Sequence, residues 1–212
     1  MKKLAIIGSG DFAKQIADFA TQTNEYEVVG FIDNNTKDVI FNGIGIIGSD
    51  DDVLTLYKNK VFDYLFIGIG YLSFALREKL FNRFKGKIPF ANIIMPGIEI
   101  HKTALLGEGV YIGQRTAIGA EAIIEDNVFV HAGSAIAHNC SIGKHTYFSG
   151  RNYIAGFSRI GQSVFLGLGV MVSDHIQICD ESWIGIGCIV AQNISRPAKY
   201  MSPSTRLIPV QK

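Results

Sequence analysis

Between residues 100 and 190 every sixth residue is aliphatic or aromatic, without a break. A period of six matches neither a 3.6-residue helix nor the alternation of an ordinary strand. It is the repeat of a parallel β-helix assembled from hexapeptides. Three hexapeptides close one triangular coil, so residues eighteen apart share a column. The first column is Ile100, Ile118, Ile136, Ile154, Val172, Val190; the second is Leu106, Ile124, Ile142, Ile160, Ile178; the third is Ile112, Val130, Phe148, Leu166, Ile184. The position two residues before each anchor is mostly small, as in Ala122, Ser134, Cys140 and Ser158. Coils stacked about 4.8 Å apart bury these columns as one continuous core. The pattern stops after Val190.

The remaining sequence reads differently. Leu4–Ile7 is a short apolar strand running into Gly8-Ser9-Gly10, and Asp11–Thr23 carries apolar residues at helical spacing. Glu27–Asp33 is a second strand, which makes the start a βαβ unit. Ile44–Gly48, Tyr64–Gly70 and Phe90–Ile94 read as further strands, with helices near 52–58 and 76–84. The expected organisation is a Rossmann-like α/β domain over 1–95, an all-β parallel β-helix over 96–194 and a capping tail over 195–212.

A net charge of +1 and the lack of any Lys/Arg run argue against a nucleic-acid surface. No stretch is apolar for long enough to span a bilayer, and the first residues lack the apolar centre of a signal peptide. Cys140, Cys179 and Cys188 form an odd set without paired spacing, as expected of reduced thiols in the cytoplasm. The Gly8-Ser9-Gly10 turn followed by Asp33 could hold a dinucleotide, although Ala13 stands where a third glycine would be.

The Ile-Ile-Gly-Ser-Gly-Asp-Phe-Ala-Lys turn from Ile6, the Gly30-Phe31-Ile32-Asp33-Asn34 strand end, the junction Phe90–Pro96 and Ala137-His138-Asn139-Cys140-Ser141-Ile142-Gly143 together carry a likeness. The chain resembles the sialic-acid-type sugar O-acetyltransferase family and, within it, the bacterial nucleotide-amino-sugar N-acetyltransferases. The resemblance implies a left-handed β-helix, a homotrimer and acetyl-CoA as acyl donor. It makes the first domain a nucleotide-sugar site, with Gly10, Asp11, Phe12, Asp33 and Asn34 as its residues. Asp11 would repel a pyrophosphate unless it turns away to cap the helix.

By the same resemblance His138 is the general base, since imidazole accepts a proton near neutral pH. In the family the next residue is Glu or Asp. Here it is Asn139, which can orient the ring but cannot stabilise imidazolium as a carboxylate does. Lys144 is a candidate for a substrate phosphate. Tyr147 stands where the family often has a second histidine, and Gly156, Leu168 and Ile186 fall at pantetheine-lining positions. The tail segment Ser202-Pro203-Ser204-Thr205-Arg206 would bring an arginine to the CoA phosphates, and Ser149-Gly150-Arg151-Asn152 could admit an acyl group larger than acetyl. The remaining histidines do not supply a converging zinc set.

The expected function is transfer of an acyl group from acyl-CoA to the amine of a nucleotide-linked amino sugar, in surface glycan synthesis. O-acetylation of a sialic-acid-like sugar is the near alternative. A non-catalytic sugar-nucleotide-binding or scaffolding module is the distant one.

Overall fold

The computed structural model describes residues 1–34 and 40–202. Its first part is a parallel sheet of β1 (Lys2–Ile7), β2 (Tyr26–Ile32), β3 (Ile46–Gly48) and β4 (Tyr64–Ile67), in the order β3-β2-β1-β4. Three helices accompany it: α1 (Asp11–Gln22), α2 (Val53–Lys58) and α3 (Phe74–Phe84). Ile6, Ala13, Ile16 and Phe66 are fully buried between sheet and helix. The chain order reverses beside β1, where β2 lies on one side and β4 on the other. That is the switch point at which such sheets open a crevice.

Helix α1 lies close to β4 because Gly68 allows it: a Cβ there would meet the Ala13 Cβ at 2.9 Å and Ile6 Cγ2 at 2.6 Å. The close helix–strand approach that the third fingerprint glycine serves is provided from the opposite side, so Ala13 is accommodated.

The second part is a left-handed parallel β-helix. Its two-residue strands stack into three faces that follow the three columns. The first face runs from Glu99–Ile100 to Ile189–Val190, the second from Leu105–Leu106 to Gln177–Ile178, and the third from Ile93–Ile94 to Lys199–Tyr200. Partners are eighteen residues apart within each face, as in Ala135↔Tyr153 and Ser141↔Arg159. From Leu106 to Ile184, the turn that follows each anchor places its third residue at positive φ, including Glu121 (57°), Asn139 (57°), Phe157 (62°) and His175 (59°). The glycines that follow anchors serve a different purpose. A Cβ on Gly119 would sit 2.6 Å from the His138 backbone nitrogen, so the next coil leaves room only for hydrogen.

Two boundaries differ from the sequence reading. Ile93–Ile94 pairs with Tyr111–Ile112 and so adds to the solenoid, not to the first sheet. The solenoid also continues beyond Val190, because Ile194 bridges to Ile178 and Lys199–Tyr200 pairs with Trp183–Ile184. These partners are sixteen residues apart, two short of a full coil, which hides the last turn from a strict sixfold count. The expected tail segment beyond Ser202 lies outside the described residues.

The two parts meet over the third face. Tyr111, Phe129, Tyr147 and Phe165 project outward from it in one column and are buried against α1 and the first sheet. Phe12 packs 5.6 Å from Phe129, and Tyr71 lies 4.8 Å from Phe165. Arg77 of α3 is fully buried in this junction. It donates to Asn127 O (2.8 Å) and His145 O (3.2 Å), with its guanidinium 4.3 Å from the Phe129 ring centre. Burial, with no carboxylate among the described residues paired to it, pushes its pKa down to about 9.

Candidate active site

The crevice at the switch point has a volume of about 540 Å³ and is lined by Gly8, Ser9, Gly10, Asp11, Phe12, Asp33 and Asn34, with Gly68 and Gly70 opposite. Gly8 has φ +100°, and a Cβ there would press on Gly68 O at 3.1 Å. Ser9 Oγ donates to Asp33 Oδ2 (2.7 Å), tying the glycine turn to the end of β2. Asn34 and Asp50 exchange two hydrogen bonds, Asn34 Nδ2 to Asp50 Oδ2 and Asp50 N to Asn34 Oδ1, both 2.9 Å. The crevice therefore combines a flexible-backbone turn at a helix start with a fixed carboxylate, a combination suited to a phosphate and a ribose-like diol.

Asp11 is not a cap. Gly10 holds the N-cap position without a side-chain bond, while the Asp11 carboxylate is fully exposed and 3.7 Å from Lys14 Nζ. Phe12 has two roles in the packing: it lines the crevice and lies against Phe129, His131 and Tyr147.

The second constellation is at the turn between the first and second solenoid faces. His138 is exposed there, its Nδ1 2.9 Å from Asn139 Oδ1. Asn139 Nδ2 in turn donates to Glu121 Oε2 at 2.6 Å. The ring rests over Gly156, where a Cβ would meet His138 Cε1 at 2.9 Å and Nε2 at 3.1 Å. Phe157 meets it edge-to-face at 5.1 Å and stacks on His175 at 4.9 Å. His175 pairs with Asp174, whose Oδ2 is 3.0 Å from Nδ1, so the two histidines are separated by an aromatic ring. Cys140, beneath the turn, is buried with its thiol pKa raised by burial.

An apolar groove of about 1120 Å³ runs along the first face to His138. Its floor is unusually small: Ala117, Ala120, Ala135, Ala137 and Ala155, with Tyr153 and Met171 at one side. Such a surface can receive a long, thin, mostly apolar chain.

The structure groups the other expected residues differently. Gly156 stands with His138, whereas Leu168 and Ile186 are exposed at the turn between the third and first faces, across the width of the first face from the imidazole. Lys144 occupies the turn between the second and third faces, with Nζ 3.9 Å from Asp126 Oδ2, an oxygen also shared with Lys85. Tyr147 is buried in the interdomain aromatic column, with a pKa pushed up to about 12 by that burial. Its neighbours are Phe129, His131, Phe165 and Tyr71, so a thioester-facing role does not fit it. Sequence reasoning missed Glu121; its position eighteen residues before Asn139 was the available signal. Among the described residues no group of three or more His, Cys, Asp or Glu is placed to hold a metal ion.

Residues 3–84 match the PglD N-terminal domain family. The acetyltransferase domain of PglB from Neisseria gonorrhoeae FA1090, solved in complex with acetyl coenzyme A, is 22% identical; 97% of this chain and 99% of that one align with a TM-score of 0.86. PerB from Caulobacter crescentus, in complex with CoA and GDP-perosamine, is 25% identical over 95% of each chain, with a TM-score of 0.87. Residues 3–84 are thus similar to a PglD N-terminal domain, and the chain as a whole shares the fold of these solved acetyltransferases. WeeI from Acinetobacter baumannii AYE shares 19% identity across 94% of this chain and 96% of its own, at a TM-score of 0.79. No curated protein sequence matches.

On this hexapeptide scaffold Gly156 is a direct test of ring placement. Its φ is ordinary, so alanine costs the backbone little, but the new methyl must displace the imidazole. With His138 as the expected general base, Gly156→Ala should lower kcat at least tenfold, because ångström-scale misplacement of a reacting group costs up to about a hundredfold. The urea midpoint should stay at the wild-type value. Unchanged turnover in an acetyl-transfer assay would show that the ring position over Gly156 is immaterial.

Proposed function

We propose that the chain is an acyl-CoA-dependent N-acyltransferase, most simply an N-acetyltransferase, that acts on the amine of a nucleotide-linked amino sugar in surface glycan synthesis. The observation that carries this reading is the exposed imidazole of His138 at the end of the small-residue groove along the first face. In the proposed reaction the acyl-CoA lies in that groove with its thioester carbonyl near His138. The sugar amine attacks the carbonyl carbon, a C–N bond forms, and His138 Nε2 accepts the amine proton. Collapse of the tetrahedral adduct breaks the C–S bond, and the proton passes to the departing thiolate. PerB, with CoA and GDP-perosamine, and PglB, with acetyl coenzyme A, support the two ligand classes.

The nucleotide part of the sugar is assigned to the crevice around Gly10, Phe12, Asp33 and Asn34, and the assembly to a cytoplasmic homotrimer. The relative placement of the two sites supports an oligomer. The first domain covers the third face, while His138 occupies the turn opposite it, so one prism separates the crevice from its own imidazole. A neighbouring copy can present its His138 where the subunit's own cannot reach.

Thiol release from acetyl-CoA, measured against a panel of nucleotide-linked amino sugars, tests the reading. Release that requires the free amine is expected. Release only with hydroxyl-bearing acidic sugars would move the reaction to O-acylation, and no release together with no CoA binding would leave a binding module.

A further inference from the structure

The geometry points to Glu121 as a positioning residue that sets the polarity of the His138 imidazole through Asn139, an inference that rests on His138 serving as the base. Residues 121 and 139 occupy the same turn in successive coils, both at φ 57°, so their side chains leave the prism in the same direction and stack. The result is a continuous line: Glu121 Oε2, Asn139 Nδ2 at 2.6 Å, then Asn139 Oδ1 and His138 Nδ1 at 2.9 Å. Among the described residues no cation forms an ion pair with Glu121, so its charge is directed to the amide.

Each link determines the next. An ionised carboxylate only accepts hydrogen bonds, so Asn139 must turn its NH2 to Glu121 and its carbonyl to the ring. A carbonyl also only accepts, so the ring nitrogen facing it must be Nδ1–H. Nε2 is then the unprotonated nitrogen, free to take a proton. Asn139 alone could not impose this, because a reversed amide would hydrogen-bond Nδ1 equally well and place the proton on Nε2. The carboxylate thus acts from one coil away on a histidine whose sequence neighbour is an amide. The arrangement also accounts for that amide: an aspartate at position 139 would put two carboxylates in contact with each other at this turn.

Glu121→Gln is the informative substitution, since glutamine has nearly the same shape but is an amide. Two facing amides can hydrogen-bond in either sense, so the line loses its direction. The 15N shifts of the His138 ring should change from a single Nδ1–H tautomer in the wild type to a mixture in the variant. The kcat of acyl transfer should fall about tenfold, the scale seen when partners behind a functional histidine are removed, with the KM for acetyl-CoA unchanged. In an Asn139→Asp background the same substitution should act in the opposite direction. There it relieves carboxylate repulsion and raises kcat about threefold, as expected for strongly coupled neighbours. Wild-type tautomer or wild-type kcat in Glu121→Gln overturns the proposal, as does a loss of activity of equal size in both backgrounds. The 15N measurement needs no turnover: a tautomer change in a protein that transfers no acyl group would reject the catalytic reading while retaining the relay.

Discussion

Acidification from pH 7 to pH 4 should remove a large part of the protein's stability. His131 and His145 are both packed at the junction between the first domain and the third solenoid face. Burial, with the Arg77 charge adding to it, holds each pKa down to about 4. His131 lies 5.8 Å from the Phe12 ring and has a buried Nε2 without a hydrogen-bond partner, while His145 Nδ1 is 2.9 Å from Asn127 Nδ2. The folded values lie below that of the unfolded chain, near 6.5, so on acidification the unfolded state binds protons first. The contribution to stability is complete above pH 6.5 and is lost as the pH falls through that value towards 4. Each histidine accounts for about 3 kcal/mol over that interval, at 1.36 kcal/mol per pKa unit. Two such losses are comparable with the whole stability of a typical domain, about 5–15 kcal/mol. Urea midpoints measured at pH 7.0 and 4.5 should therefore diverge strongly, with interdomain aromatic fluorescence lost in the same transition. His131→Leu should reduce the divergence by about half, because it removes one of the two titrations. Equal midpoints at the two pH values would mean that these rings are not buried neutral at the junction.

That junction was the least legible part of the sequence. The inward columns were easy to read because burial allows only apolar anchors at a fixed period, and the three sheets follow them residue for residue. The interdomain column obeys the same eighteen-residue spacing in Tyr111, Phe129, Tyr147 and Phe165. It sits one residue before the anchors, on the outward side, where exposed aromatics and covered ones look alike in sequence. Tyr147 was accordingly read as a ligand contact when it is a packing residue. Arg77 gave no signal at all, since nothing in α3 distinguishes a buried arginine from its exposed neighbours. Leu168 and Ile186 belong to the turn between the third and first faces, whereas Gly156 belongs to the turn that holds His138. The sequence neighbour of His138 was legible, but its carboxylate was not, because stacking brings residue 121 to residue 139 and no local motif records it.

Replacing His138 with alanine should be the most damaging single change to turnover and nearly neutral for folding. The ring is exposed, bonded through Nδ1 to Asn139 and otherwise in contact with Gly156 and Phe157, so its loss opens no core cavity. Surface changes of this kind alter stability by about 0.5 kcal/mol or less. In the proposed reaction the chemical consequence is larger, because the attacking amine must lose a proton as the C–N bond forms and, among the described residues, no other base is placed at this turn in the same way. His175 is two coils further on, separated from His138 by Phe157 in the coil between and engaged by Asp174. Glu121 reaches the site only through Asn139. Positioned general bases contribute about 10²–10⁴-fold, so kcat in His138→Ala should fall by at least a hundredfold. The dissociation constant for CoA, measured calorimetrically, should move by less than about threefold, since the groove floor is formed by the alanines of the first face. A proton acceptor supplied in solution at high concentration, such as imidazole, should restore part of the lost rate in proportion to its concentration. Turnover within about threefold of wild type would exclude His138 as the base. A loss of CoA binding equal to the loss of rate would instead make it a contact that holds the donor.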